Sequence, residues 1–598
     1  MKKVLLTVLG FINVLGLAAQ WNVQEDHRLT GDNVLNFEAQ TNKNGITFVA
    51  FWKLVAEDPA KQGNRYSEGS DIAYYLQIVD KEGNNLFSNN GQLISHEPSR
   101  SFTTGDDDAV FTDSEGNALL IVKDERNWNS ASYPNQSYFV YKVSPTGDLL
   151  WEKPLDLDRG TAYYAVNNIK GIEVEDGSYI FAHDIRHDEG IAYIAIDKVS
   201  KNGEFIWEEP LLLSSRTVSY VCPFLADAGY GDFIVVYSKS PGHQMYAQKF
   251  DFEKGKGWPD EAPIYRRGFT SGHFPWTSFN VIPDTKGGVF AAWFDDRYST
   301  DVEKAHVSHI LANGEQGFIT SGDDEGLRLN WSGQRGYEPS MCYDPVGEIL
   351  YVVWEERNGS QAFRSLVLQK VSKEGELFWT NPEGAEGNTN GLILDSGWSP
   401  SIPGYYSIQL AGEGKIAVFY QHNYTASNTS TENVAILLDV TGEQPQYVWP
   451  EEKLVYSPKN QGKAGLRSLP LIDNEYFLTF WNDYRTASSG SMGSAAFAQK
   501  VHLSAQTAIR FPETGAGNPL EVVSNGKNGK VDFVIESPEA GNATLEVYSV
   551  AGQKVARIQS QLLVGKNTIP GNLQHLSTGV YVVRLATQNG VYAKRFYN

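Results

Sequence analysis

The 598-residue sequence predicts an all-β chain: an eight-bladed β-propeller, with seven blades as the alternative, followed by a small immunoglobulin-like β-sandwich. Three observations point there. Glycine is abundant at 56 copies, aromatic residues make up 12% and charged residues only 20%, a balance that favours short strands and tight turns over charged helices. One apolar run recurs along most of the chain. The C-terminal end then changes to short strands of clean two-residue alternation, such as KVDFVIES, ATLEVYSV and GVYVVRLA.

The recurring run appears as ITFVAFWK (46–53), ALLIVKDER (118–126), YIFAHDIR (179–186), FIVVYSKS (233–240), VFAAWFDDR (289–297), ILYVVWEER (349–357), IAVFYQHN (416–423) and FLTFWNDYR (477–485). The spacing is roughly 55 to 70 residues, the long end of propeller blades. A turn rich in Gly, Asp or Asn precedes each run, and a loop, a strand and a hairpin of the SPTGDLLW or SKNGEFIW kind follow it. The unit is therefore four antiparallel strands, and a ring of such units is a propeller. The last unit lacks a fourth strand after AAFAQKVHL (495–503), whereas WNVQEDHRLTGDN, from Trp21, resembles one. The first strand after the leader is thus expected to complete the last sheet, which removes an exposed edge.

The leader is MKKVLLTVLGFINVLGLAAQ: Lys2 and Lys3, an apolar stretch, then Ala18 and Ala19 before Gln20. This is the pattern of a secretory signal peptide over residues 1–19. The propeller is expected over 20–503, a linker over 504–519, where SAQTAIRFPETGAGNP has no alternation, and a C-terminal domain over 520–598. No other segment is long and apolar enough to be a transmembrane helix. Cys222 and Cys342 are too few for a disulfide framework, and their places in the repeat predict two buried free thiols.

Several C-terminal stretches occur in a characteristic order: NP at 518–519, LEVYSVAGQKV (545–555), LSTGVYVVRLA (576–586) and YAKRF (592–596). In that combination the last 80 or so residues resemble the type A sorting domain of type IX secretion system cargo, with Gly579, Tyr581 and Lys594 at the places the family's pattern expects. The resemblance implies handling by the type IX secretion machinery, passage through the periplasm and release or display at the cell surface. The N-terminal region resembles a bacterial surface β-propeller.

A net charge of −22 with no basic cluster to offset it argues against nucleic-acid binding. An Asp/Glu-x-Arg element follows the second strand in five of the eight units: Asp124/Arg126, Asp184/Arg186, Asp295/Arg297, Glu355/Arg357 and Asp483/Arg485. A catalytic group is usually unique. A repeated one reads as a structural joint, the carboxylate accepting turn amides and the arginine bridging outward. The longer, more varied connections share one face of the ring, and there Trp276, Trp331 and Trp398, interleaved with Arg267, His273 and Arg335, are candidates to stack on sugar rings or hold an anionic group. The alternative is that these aromatics fill gaps between blades.

Metal and cofactor signals are weak. His183 and His187 with Asp184 and Asp188 have helical ligand spacing, but they sit on a strand end. The acidic loops GDDDAVF (105–111) and SGDDEG (321–326) offer oxygens suited to calcium without the EF-hand pattern. No metal site and no cofactor is therefore expected, calcium being the one candidate. No G-x-S-x-G element or P-loop is present. The expectation is a secreted, surface-displayed propeller that binds a glycan or a protein rather than an enzyme. The alternatives are a polysaccharide hydrolase or lyase and a structural surface protein. Two unpaired carboxylates about 5–10 Å apart would favour the enzyme; carboxylates all paired with arginine would favour the binder.

Overall fold

A computed structural model describes residues 26–597, apart from 56–71, 98–108, 128–135, 162–167, 187–189, 267–279, 298–302, 319–324, 331–333, 380–390, 426–429, 450–451, 486–493, 505–519, 525–529, 550–553, 574–575, 577–579, 588–589 and the single residues 89, 243 and 400. The chain divides into two compact units, Met1–Leu503 and Ser504–Asn598. Both are built from β-strands, with no helix among the described residues, and hence none long and apolar enough to cross a membrane.

Among the described residues the first unit holds eight antiparallel sheets: seven are of four sequential strands, the seventh with one extra strand, and the eighth has three sequential strands and a fourth from the N-terminal segment. The second sheet shows the pattern: Ala109–Thr112, Ala118–Asp124, Ser137–Val143 and Leu155–Asp156. The first strands of successive sheets are neighbours: Val34–Thr41, Ala109–Thr112, Ile169–Glu173, Ser219–Gly229, Asn280–Pro283, Arg335–Asp344, Ile402–Leu410 and Lys463–Ser468. Val34–Thr41 also packs on Tyr476–Asp483 and Ala495–His502 of the last sheet, so the order is cyclic and propeller-like.

The core explains why the repeated runs are continuously apolar instead of alternating. A second strand is buried on both faces and feeds the core on either side. In Thr47–Leu54, Phe48, Ala50 and Trp52 join the cluster shared with the second sheet, whereas Val49 and Phe51 join the one shared with the last. Each adjacent pair of sheets shares one such cluster, and Leu29, Val34, Phe37, Leu478, Phe480 and Ala496 complete the cycle.

Closure is made by the N-terminal segment. His27–Arg28 pairs antiparallel with Ala495–His502, His27 opposite Ala498 and Arg28 opposite Phe497, and the Leu29 amide donates to the Ala496 carbonyl at 2.9 Å. Trp21, which the sequence placed at the start of this strand, lies outside the described residues. Cys222 and Cys342 are both buried free thiols, on first strands of the fourth and sixth sheets.

The outer strands differ from the sequence expectation. The segment after each third-to-fourth-strand turn was expected to be the fourth strand, but in the first six sheets it makes only an isolated bridge, for example Val143 with Leu149 or Val199 with Phe205, and only in the seventh is it a paired strand, Gln446–Tyr447. The paired fourth strands come later and are short: Leu155–Asp156, Leu211–Leu213, Leu327–Arg328. The tryptophans that mark the hairpins are turned toward the next sheet.

The second unit has two antiparallel sheets. One orders Leu520–Ser524, Lys530–Ser537 and Gly565–Asn572; the other orders Lys554–Leu562, Gly541–Ser549, Val580–Thr587 and Gly590–Tyr597. Leu520, Phe533, Ile535, Leu545, Val547 and Val583 lie in the core they enclose.

Candidate functional site

Strands that alternate in direction separate the connections into two faces. The turns from first to second and from third to fourth strands lie on one face. The longer connections, from second to third strands and on to the next sheet, lie on the other.

On this loop face the repeat carboxylates are held locally. Asp295 and Arg297 are almost wholly buried, with Nη2 2.5 Å from Oδ2. The carboxylate also accepts the Trp293 indole N–H at 2.8 Å and the Arg297 amide at 3.1 Å, and the guanidinium lies 4.2 Å from the centre of the Tyr265 ring. Burial opposes ionisation of Asp295, but the Arg297 guanidinium hydrogen-bonded to it favours the charged form, and its pKa lies below the usual carboxylate value. Burial, with the charges of Arg297 and Arg328 adding to it, drives His306 down to about 3, so it stays neutral. Asp483 repeats the arrangement with the Trp481 indole at 3.1 Å and Arg485 at 2.5 Å, and Arg485 also bonds Asp26 of the closing segment.

Asp124 pairs with Arg126 at 2.6 Å, and that arginine reaches Ser95 in the preceding sheet at 3.1 Å. Glu355 lies 2.8 Å from Arg357 and 3.2 Å from Arg364. Asp184 differs: it accepts the backbone amides of Asn168 and Cys222 at 3.2 and 3.3 Å, and Nε of Arg186 has no hydrogen-bond partner among the described residues.

Of the six binding candidates, Arg267, His273, Trp276 and Trp331 lie outside the described residues. Trp398 ends the last strand of the sixth sheet, 62% exposed, its ring 4.9 Å from that of Phe363. Arg335 begins the first strand of the same sheet and pairs with Glu303 at 3.3 Å. The register runs Arg335–Arg357, Arg357–Arg364, Arg364–Gly397, so Arg335 and Trp398 stand three strand spacings apart, about 14 Å. They cannot grip the two faces of one sugar ring.

Two features of the first strands were not foreseen. Register shifts bring residues with positive φ to matching places: Cys222 (56°), Glu338 (48°), Tyr405 (39°) and Gly465 (68°). Glu338 is an exposed residue with no ion pair among the described residues, and partial desolvation of its carboxyl, with Glu355 nearby, raises its pKa. On the opposite, turn face, a cavity of about 1060 Å³ opens across the fifth to eighth sheets. Its polar lining includes Asp344, Tyr351, Lys370, Glu413, Thr441 and Asn474. No sequence signal marks it, because its wall is assembled from four separate repeats.

Among the described residues no group of three His, Cys, Asp or Glu side chains is placed to hold a metal ion. His183 is buried beside Asp158, 3.7 Å away, and burial lowers its pKa to about 3. His187, Asp188 and residues 105–108 and 321–324 of the acidic loops lie outside the described residues.

In the second unit Tyr581 is buried and pairs with Phe596, and Lys594 is exposed opposite Val583; Gly579 lies outside the described residues. Residues 527–597 match the family described as the secretion system C-terminal sorting domain. The C-terminal unit is a type IX sorting domain. The sorting domain assigns the chain to the type IX secretion machinery and sends it to the cell surface or the extracellular space. No curated protein matches the sequence.

Solved structures similar to the chain include the Dos1 propeller, at 10% identity and a TM-score of 0.39, covering 81% of this chain and 95% of that one. An ulvan lyase bound to -[GlcA(1-4)Rha3S]- has 11% identity and a TM-score of 0.36, covering 66% and 92%. A protein of unknown function from Dyadobacter fermentans DSM 18053 has 11% identity and a TM-score of 0.33, covering 81% and 98%. At such scores the propeller-like architecture rests on this chain's own topology and core.

Proposed function

We propose that the chain is a surface-displayed eight-bladed β-propeller that binds a glycan or protein ligand and is carried outward by its sorting domain. The assigned parts are a signal peptide over 1–19, the propeller over 20–503, a linker over 504–519 and an immunoglobulin-like sorting domain over 520–598. The eight sheets in cyclic order support eight blades over seven, and two antiparallel sheets around one core support the immunoglobulin-like reading.

The observation that carries binding over catalysis is the engagement of the repeat carboxylates. Asp124, Asp295, Glu355 and Asp483 each face an arginine, which leaves them structural and unsuited to proton transfer. Trp276, Trp331, Trp398, Arg267, His273 and Arg335 are the proposed contacts on the loop face. The alternative of a polysaccharide hydrolase or lyase is favoured by one residue, Glu338, whose carboxyl has a raised pKa and no ion pair among the described residues.

A glycan array probed with the purified chain tests the reading. Binding that weakens at least tenfold in Trp276→Ala or Trp398→Ala places the ligand on the loop face. Binding lost instead in Glu413→Trp, which narrows the turn-face cavity, moves it there. Depolymerisation of a bound glycan that stops in Glu338→Gln replaces the binder with the enzyme, and no ligand in any arm leaves a structural surface protein.

A further inference from the structure

We propose that Ser401, His422 and Asp395 form a nucleophilic triad that hydrolyses small acyl esters carried on sugar hydroxyls. Ser401 Oγ lies 2.9 Å from His422 Nε2, and His422 Nδ1 lies 2.9 Å from Asp395 Oδ2. This is the order of contacts that activates a serine: nucleophile, base, and a carboxylate that orients the base. An ionised carboxylate only accepts, so the imidazole proton sits on Nδ1 and the Nε2 lone pair faces the serine hydroxyl. Burial works against the charge of Asp395, but hydrogen bonds from His422 and from Lys453 at 2.8 Å outweigh it and push its pKa well down.

The three residues are placed by backbone, and no sequence motif marks them. Asp395 lies in the last strand of the sixth sheet, and His422 in the second strand of the seventh, opposite Pro403. Ser401 lies in the connection between these sheets, where its amide closes a tight turn onto the Trp398 carbonyl at 2.7 Å. A Cβ at Gly397 would overlap the Ser401 carbonyl oxygen, so a glycine there lets the turn close. The His422 ring packs 4.8 Å from Tyr424, whose hydroxyl donates to Glu432 at 2.9 Å, which fixes the base in place. His422 and Asp395 each keep 12% side-chain exposure, so the triad is within reach of solvent.

The exposed Trp398 ring, backed by Phe363 and one turn from the nucleophile, is a platform for the flat face of a pyranose. The sugar part rests on the glycan reading above; the acyl chemistry rests on the triad alone. Ser401 Oγ attacks the acyl carbon and forms the new C–O bond while its proton passes to His422 Nε2. The bond from the acyl carbon to the sugar oxygen then breaks, and the sugar oxygen takes that proton. A water molecule next attacks the acyl-serine and gives one proton to His422. The carboxylic acid leaves, and Ser401 Oγ recovers its proton from His422.

The test treats the purified full chain with a fluorophosphonate probe, p-nitrophenyl acetate and acetylated xylan. The expected result is covalent labelling mapped to Ser401 by mass spectrometry, with esterase activity on p-nitrophenyl acetate. Ser401→Ala should lose the label and at least about 100-fold in rate, and Ser399→Ala should keep both. No labelling and no hydrolysis by the intact chain, or labelling that persists in Ser401→Ala, overturns the triad. Hydrolysis of p-nitrophenyl acetate without release of acetate from xylan overturns the sugar assignment and supports the triad, whatever the glycan array returns.

Discussion

The indole of Trp151 lies so close to Gly203 of the following sheet that a Cβ on that glycine would stand 2.7 Å from the ring, and its Nε1 donates to the Lys201 carbonyl at 3.1 Å. The contact recurs: Trp258 donates to Ala312, Trp379 to Glu443 and Trp449 to Leu503, and Phe318 covers Gly375. Each hairpin aromatic thus fastens one sheet to the next on the turn face. Gly203→Ala should destabilise the ring by about 1–2 kcal/mol for its positive φ and by a further 1–3 kcal/mol or so for the steric conflict. Gly160→Ala, also at positive φ but with open space around it, carries only the first cost. Equal losses in urea unfolding would refute the stacking role.

Asp295→Ala should cost about 3–5 kcal/mol, because it leaves the almost wholly buried Arg297 without this carboxylate, whereas Asp483→Ala should cost less, because Arg485 is partly exposed and keeps its bond to Asp26. Thermal unfolding of both variants checks this. A silent Asp295→Ala would mean that the pair is not a joint.

The sorting domain should weaken in acid. Hydrogen bonds from Lys554 and then Tyr548, aided by Arg584, hold the Glu546 carboxyl at about 2 against an ordinary value of 4.5. A depressed carboxyl contributes stability in full above the unfolded value, and this is lost as pH falls from about 4.5 toward 2. Hydrogen-exchange protection at 541–549, taken relative to the intrinsic exchange rate at each pH, should therefore fall over that window in the natural chain, and Glu546→Gln should flatten the dependence.

Deleting residues 26–32 removes the His27–Arg28 pairing and the Asp26 contact with Arg485. The expected outcome is a lower melting temperature and self-association through the uncovered Ala495–His502 edge, seen by sedimentation. Unchanged melting and a monodisperse profile would mean that this segment does not hold the ring shut.

A chain ending at Leu503 should accumulate in the periplasm while the full chain reaches the surface. Protease accessibility on whole cells distinguishes the two.

The second strands were legible because burial on both faces writes an unbroken apolar run, as in VFAAWFD. The fourth strands were not, because a pair such as Leu155–Asp156 is too short to alternate, and the conspicuous tryptophan before it serves the neighbouring sheet. Asp184 follows the repeat in sequence but not in space: the left-handed backbone at Cys222 presents an amide that takes its carboxylate. Nor could spacing reveal Asp395, Ser401 and His422, since the third arrives from the next sheet through the pairing of Pro403 with His422.

The pairing of Arg28 with Phe497 also sets a clock. A contact between the two ends of so long a unit adds little entropic penalty, because loop-closure cost grows only logarithmically, but it delays the final step until the last strand has been made.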